Sequence, residues 1–247
     1  VDGTLGARTA ALREEYSDDP GNRGVYAHSQ EELDKLVTMA QSAEMQVAFF
    51  AIGDGAIERC LNSIEAANRE ISTASVRHRI AHCQVGAPDL FKRMSELGVY
   101  ADIQPSFVSA DWPIVVPRLG AERSRSSYAW KSLITNGITI GAGSAAPGES
   151  INPFVGVRSA MLRQDENGEP MYGWMPSQRL DRVEALTMYT SGGAAVCGEG
   201  DIRGTLAVGH YADIVGFMEN PFVVPDGDLT GMSIGLVIVD GKIKYIR

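Results

Sequence analysis

Apolar positions along the chain switch repeatedly between two periods. From Ser29 onward, Leu33, Leu36, Val37 and Ala40 recur at helical spacing, and Ser29 with Glu32 makes a capping-box pattern at the start. The run "MQVAFF" then reads as a strand, and Ile57, Cys60, Leu61 and Ile64 line one face of the helix that follows. "RHRIAHCQ" is a second strand, and Leu90, Phe91, Met94 and Leu97 mark a short helix from about Asp89 to Leu97. "GVYADIQP" is a third strand, stopped by Pro105, and "GITIGAG" a fourth. Between them runs a long connection holding Trp112, Tyr128 and Trp130. Continuous apolar strands alternating with amphipathic helices predict an α/β fold with a parallel sheet and helices outside it. A further helix from Asp181 to Thr190 has its own Asp181/Glu184 start. After Gly204 the texture becomes short, β-rich and punctuated by glycine. Asp240-Gly241 between "LVIV" and "KIKYI" predicts a hairpin. The expected organisation is a barrel-like segment over 1–203 and a β-rich segment over 204–247.

Composition narrows the function classes. With 247 residues, 44% hydrophobic and 21% charged, the chain reads as globular. A net charge of −9, with nothing more basic than "RSRSS" from Arg123, argues against a nucleic-acid surface. No apolar run reaches the roughly 18 residues of a membrane span, and no signal-peptide core opens the chain. Cysteines 60, 83 and 197 are too few and too scattered for a disulfide framework or a CxxC knuckle. They read as buried thiols of a reducing compartment, so a cytoplasmic location is expected.

Candidate chemistry collects at the C-terminal ends of the strands, where parallel α/β folds place their sites. The strand-end residues are Phe50 with Asp54, then His82, Gln104 and the "GSAAPGE" loop from Gly143 to Glu149. His78 and His82 would share a helix face, but on a strand they lie about 13 Å apart and cannot hold one ion. His82 then stands at the mouth and His78 at the bottom; a single histidine on these grounds is more often a structural residue than a ligand. Asp54 sits where an aspartate commonly caps the following helix. "ITIGAGSAAPGE" fits a dinucleotide-type glycine pattern, but Pro147, Gly148 and Pro153 oppose the helix such a site needs. Ser144 lacks G-x-S-x-G flanks. Arg118, Arg123 and Tyr128 fit an anionic substrate or the packing of the long connection equally well.

Taken together, "DGTLGARTAALREEYSDDPGNRG", "AIGDGAIE", "RHRIAHCQ", "QPSF", "LGAERSRSSYAWKSL", "GSAAPGESINP" and "GTLAVGHYADIVGF" resemble, in order and spacing, amidohydrolase family 3. The resemblance runs over essentially the whole chain. It implies the second half of a (β/α)8 TIM-type barrel with a small C-terminal β segment of a composite β-sandwich. It also implies a divalent metal, usually zinc, that activates water to cleave an amide-type C–N bond. The chain would correspond to the C-terminal portion of a longer protein, and would pair with another copy or with the missing half. Departures from the family pattern fall on the metal site. His-Ala-Ile-Gly-Asp reads Phe50-Ala51-Ile52-Gly53-Asp54, so Phe50 stands at a ligand position. Arg-Ile-Glu-His reads Arg79-Ile80-Ala81-His82, which keeps His82 and turns a carboxylate into Ala81. Gly-Ser-Asp reads Gly143-Ser144-Ala145, which removes the acid that binds metal and moves the proton.

Three expectations follow: a hydrolase scaffold with an eroded metal site, inactive alone; a non-enzymatic ligand-binding or regulatory protein; or a hydrolase with a reduced mononuclear site using His82. The expected ligand is a small amide-type molecule, met by Gln104, Trp112, Arg123 and Tyr128.

Overall fold

The computed structural model describes residues 1–71 and 76–247. The chain divides into two compact units, Val1–Ile103 with Ala110–Ile140, and Gln104–Ser109 with Gly141–Arg247.

In the first unit, strands β1 (Ala48–Ala51), β2 (Arg79–His82) and β3 (Tyr100–Ile103) run parallel. Sheet order is β1-β2-β3-β4, with β4 spanning Ile140–Ala142 and the Ala101 amide donating to the Thr139 carbonyl. Helix α1 (Gln30–Ser42) precedes β1, while α2 (Asp54–Glu70) and α3 (Pro88–Glu96) occupy the β1–β2 and β2–β3 connections. Helix α2 buries the whole predicted stripe, Ile57, Cys60, Leu61 and Ile64, whereas α1 buries Leu33 and Val37 but leaves Leu36 exposed and Ala40 half-buried, and α3 buries Leu90, Phe91 and Met94 with Leu97 half-buried at its C-cap. The capping box forms as expected, with Ser29 accepting from the Glu32 amide and Glu32 accepting from the Ser29 amide.

Alternation along the strands separates two faces. Phe49, Ala51, Ile80, Ala101 and Ile103 are buried, while Ala48 and Phe50 are exposed and Arg79, Ala81, Tyr100 and Asp102 half-buried. His78, just before β2, is buried and structural. Its Nδ1 accepts from the Val47 amide at 3.1 Å, which leaves Nε2 to carry the proton toward Gln41 Oε1 at 3.3 Å.

The long connection, to which the sequence pattern assigned no element, is helical. Helix α4 spans Phe107–Ser124 despite Pro113 and Pro117, and Gly120 breaks it with φ 73°. Val115 and Leu119, four apart and fully buried, supply the packing that overrides the prolines. Helix α5 follows at Trp130–Thr135, with Trp130 and Leu133 buried.

The second unit contains α6 (Pro153–Leu162), α7 (Arg182–Thr187), α8 (Ser191–Val196) and an antiparallel sheet of β5 (Ile214–Phe217), β6 (Ile234–Val239) and β7 (Lys242–Ile246). Asp181 and Glu184 close a second capping box. The hairpin at Asp240-Gly241 has both residues at positive φ, 51° and 69°, as the expected tight turn requires. Among the described residues, no helix is long and apolar enough to cross a membrane. Cys60 and Cys83 are buried free thiols, as expected; Cys197 is exposed.

Candidate functional site at the strand ends

The parallel register sets the site. Phe50 lies beside Ala81, and Ala51 beside His82. Strand β2 ends in two successive left-handed residues, His82 at φ 70° and Cys83 at φ 46°. A strained pair of this kind at a strand end redirects the chain, here so that the Cys83 amide still reaches the Ala51 carbonyl and the Val85 amide the Ile52 carbonyl. The imidazole of His82 meets the Phe50 ring, centroids 4.5 Å apart and planes tilted by 60°. Burial drives the His82 pKa down to about 4, so the ring is neutral at ordinary pH.

Asp54 does not cap α2 in the expected way. Gly53 is the N-cap, and Asp54 is the first helical residue. Its Oδ1 instead accepts from the Arg13 and Gly55 amides, both at 3.0 Å. Burial raises its pKa, opposed by the bond from the Arg13 amide and the charge of Arg13. Asp2 binds the same turn more tightly. Its carboxylate accepts from the amides of Ile52 at 3.0 Å, Gly53 at 2.8 Å and Ala11 at 2.8 Å. These contacts fix the backbone directly after Phe50. Asp2 lies 50 positions from Ile52, beyond the reach of any local pattern.

On the half-exposed face, Ala81 is in register with Asp102, so Phe50, Ala81 and Asp102 form one row across three strands. Asp102 Oδ2 lies 3.7 Å from Arg79 Nε. Burial raises the Asp102 pKa and the Arg79 charge lowers it. Sequence reasoning passed over Asp102, although alternation in "YADI" sets it opposite to buried Ala101 and Ile103.

The remaining candidates fall into separate settings. Tyr128 is buried at φ 48°; its hydroxyl donates to Asp111 Oδ2, which also accepts from Gln84 Nε2 at 2.9 Å. Trp112, adjacent to Asp111, is half-buried. Arg123 is engaged by the N-terminal segment: it donates to the carbonyls of Leu119, Glu14 and Glu15 and to Ser17 Oγ. Arg118 likewise donates to the carbonyls of Leu5 and Gly6 and pairs with Asp18. In the second unit, Gln104 is half-buried, while Ala145 is exposed at φ 54° in a turn closed by the Gly148 amide and the Ala145 carbonyl. Among the described residues, no group of three or more His, Cys, Asp or Glu side chains is placed to hold a metal ion.

Known proteins resemble the chain in sequence and in fold. The YtcJ protein of Bacillus subtilis (strain 168) is 38% identical over 246 residues, 99% of this chain and 46% of its own. An uncharacterized metal-dependent hydrolase from Pyrococcus horikoshii OT3 superposes with a TM-score of 0.80 at 33% identity, over 92% of this chain and 44% of that one. Another from Pyrococcus furiosus gives 0.75 at 33% identity, over 86% and 42%. The chain thus spans less than half the length of these relatives. A model of the amidohydrolase family matches residues 1–245, nearly every position of the sequence. With that match and the parallel α/β sheet in agreement, the chain belongs to the amidohydrolase family.

Proposed function

We propose that this chain is a hydrolase scaffold of amide-type C–N bonds whose metal centre is eroded, and that its four-stranded sheet is part of the second half of a (β/α)8 barrel. The family and the Pyrococcus hydrolases imply a divalent metal that would activate water. A catalytic zinc takes three protein donors and an open position for water. The residues at the strand ends do not fit that demand. His82 is a neutral imidazole suited to a metal, but its neighbour at the family's next ligand position is the ring of Phe50. The observation that carries the reading is this ring-to-ring contact at 4.5 Å. It sets an apolar surface where a metal-bound water would need room and hydrogen-bond partners. Ala145 supplies neither a donor atom nor a base at the position where the family has aspartate.

Hydrolysis of N-benzylformamide and 4-nitroacetanilide tests the proposal, followed with excess zinc and, separately, with EDTA. The expected result is the buffer rate in both. Turnover that zinc raises and EDTA abolishes would contradict it.

A further inference from the structure

We propose that His78 is a proton-operated latch. While its ring is neutral it ties the start of β1 to the C-terminal ends of α1 and α2, and it releases them when the ring becomes an imidazolium. The latch lies at the opposite end of the strands from Phe50 and His82, so it stands or falls apart from the reading of the metal centre.

One run of hydrogen bonds makes the tie. The Val47 amide donates to His78 Nδ1 at 3.1 Å, and the Arg79 amide donates to the Val47 carbonyl at 3.0 Å. The β1–β2 ladder opens at Ala48 beside Arg79, so the ring supplies the acceptor for the amide just outside it. On its other side, Nε2 faces Gln41 Oε1 at 3.3 Å. Gln41 sits in the last turn of α1 and is 1% exposed. Its Nε2 donates to Asn68 Oδ1 at 2.9 Å and to the carbonyl of Ile71, the C-cap of α2, at 2.8 Å. A carbonyl only accepts, so the Gln41 amide has one orientation and the ring one tautomer: it donates from Nε2 and accepts at Nδ1.

Protonation breaks the run at one point. An imidazolium donates from both nitrogens, so Nδ1–H would face the N–H of Val47 across 3.1 Å with no acceptor between them. His78 is 3% exposed, which leaves the cation buried away from water. Its surroundings are neutral on every side: Gln41 from α1, Val47 and the edge-on Phe49 ring from β1, and the Tyr100 amide of β3, which donates to the His78 carbonyl. The charged residues at this end, Glu44 after α1, Arg69 and Glu70 on α2, and Arg77, are exposed, and the Arg77 guanidinium lies over the Tyr100 ring at 5.7 Å. Arg79 and Asp102 pair on the other face of the sheet. Burial accordingly holds the His78 pKa below the ordinary histidine value of 6.5. The sign follows from linkage. The latch is intact above about pH 6.5, and stability is lost as pH falls below it, because the unfolded chain binds the proton that the folded chain refuses.

An NMR pH titration of the histidine rings in the whole chain, read together with amide exchange at Val47, tests this. His78→Asn assigns the resonance and serves as the comparison, since its Oδ1 offers Val47 a neutral acceptor. The His78 ring is expected to titrate below the ordinary range, with the Val47 amide losing protection in step with it while the amides of Ile57 and Leu61 stay protected. In urea, the unfolding constant of the unsubstituted chain should rise relative to His78→Asn by up to about tenfold per pH unit below 6.5; His82 is present in both and cancels. If His78→Asn does not fold, Gln41→Glu replaces it: a carboxylate beside Nε2 should raise the midpoint of the ring. A midpoint at or above the ordinary value in the unsubstituted chain, a Val47 amide indifferent to the titration, equal pH profiles for chain and variant, or a midpoint unmoved by Gln41→Glu would overturn the proposal and leave His78 as a packing residue.

Discussion

Replacing Gly53 with alanine is expected to destabilise the first unit by about 3 kcal/mol or more, the range of severe overpacking. The backbone angles are not the cause, since φ −78° and ψ 151° suit any residue. The cause is contact. A Cβ at position 53 would lie 2.0 Å from the Ala11 carbonyl oxygen and 2.6 Å from its carbon. That carbonyl accepts from the Gly55 and Ala56 amides at 3.0 and 3.2 Å, and so satisfies the start of α2. Asp2 binds the Gly53 and Ala11 amides together from the other side. No flexible side chain can swing away; backbone would have to retreat from backbone, and the hydrogen bonds at the end of β1 would lengthen with it. Urea unfolding should show the loss as a lower midpoint at unchanged slope. A loss under about 1 kcal/mol would mean that the 1–24 segment does not sit on this turn in solution.

Arg163→Ala should cost the second unit about 3 kcal/mol or more. Arg163 is fully buried, an uncommon place for a guanidinium. It ends α6 in the left-handed conformation, φ 54° and ψ 43°, where the helix presents its unpaired carbonyls and negative dipole end. Its Nε donates to the Trp174 carbonyl at 2.6 Å, and the Trp174 amide donates back to the Arg163 carbonyl at 2.8 Å. The guanidinium lies 5.1 Å from the Trp174 ring centroid. Truncation to alanine removes all of these side-chain contacts and leaves a cavity against Trp174. Arg163→Lys keeps the charge but not the planar fork, and should recover only part of the loss. Thermal melts by circular dichroism measure both; equal melting temperatures for the alanine variant and the unsubstituted protein would refute the structural role.

Much of the fold could be read before any coordinates because its signals are local. The Ser29/Glu32 and Asp181/Glu184 boxes, the apolar stripe of α2 and the Asp240-Gly241 turn each need only a few neighbouring residues. Helix α4 was hidden because Pro113 and Pro117 are strong local evidence against a helix, whereas the burial of Val115 and Leu119 that offsets them is tertiary. The site divides in the same way. Phe50 and His82 are visible as strand ends, but their contact is not, because the register sets His82 beside Ala51 and the ring reaches Phe50 where His82 leaves strand geometry at φ 70°. Asp2 is not legible, because its partners are the Ile52 and Gly53 amides far along the chain. Arg123 illustrates the converse: a basic residue beside aromatic ones suggests a ligand, yet its guanidinium is held by the carbonyls of Glu14, Glu15 and Leu119. The row through Ala81 needed both alternation and register, and register is set by long-range pairing.

The central claim is that Phe50 and Ala145, at positions where the family binds metal, leave this chain without a metal centre of its own. Metal content of the protein purified without added metal, measured by elemental mass spectrometry, tests it most directly. The account predicts far less than one transition-metal ion per chain, and no change on His82→Ala. About one zinc or similar ion per chain, lost when His82 becomes alanine, would contradict it.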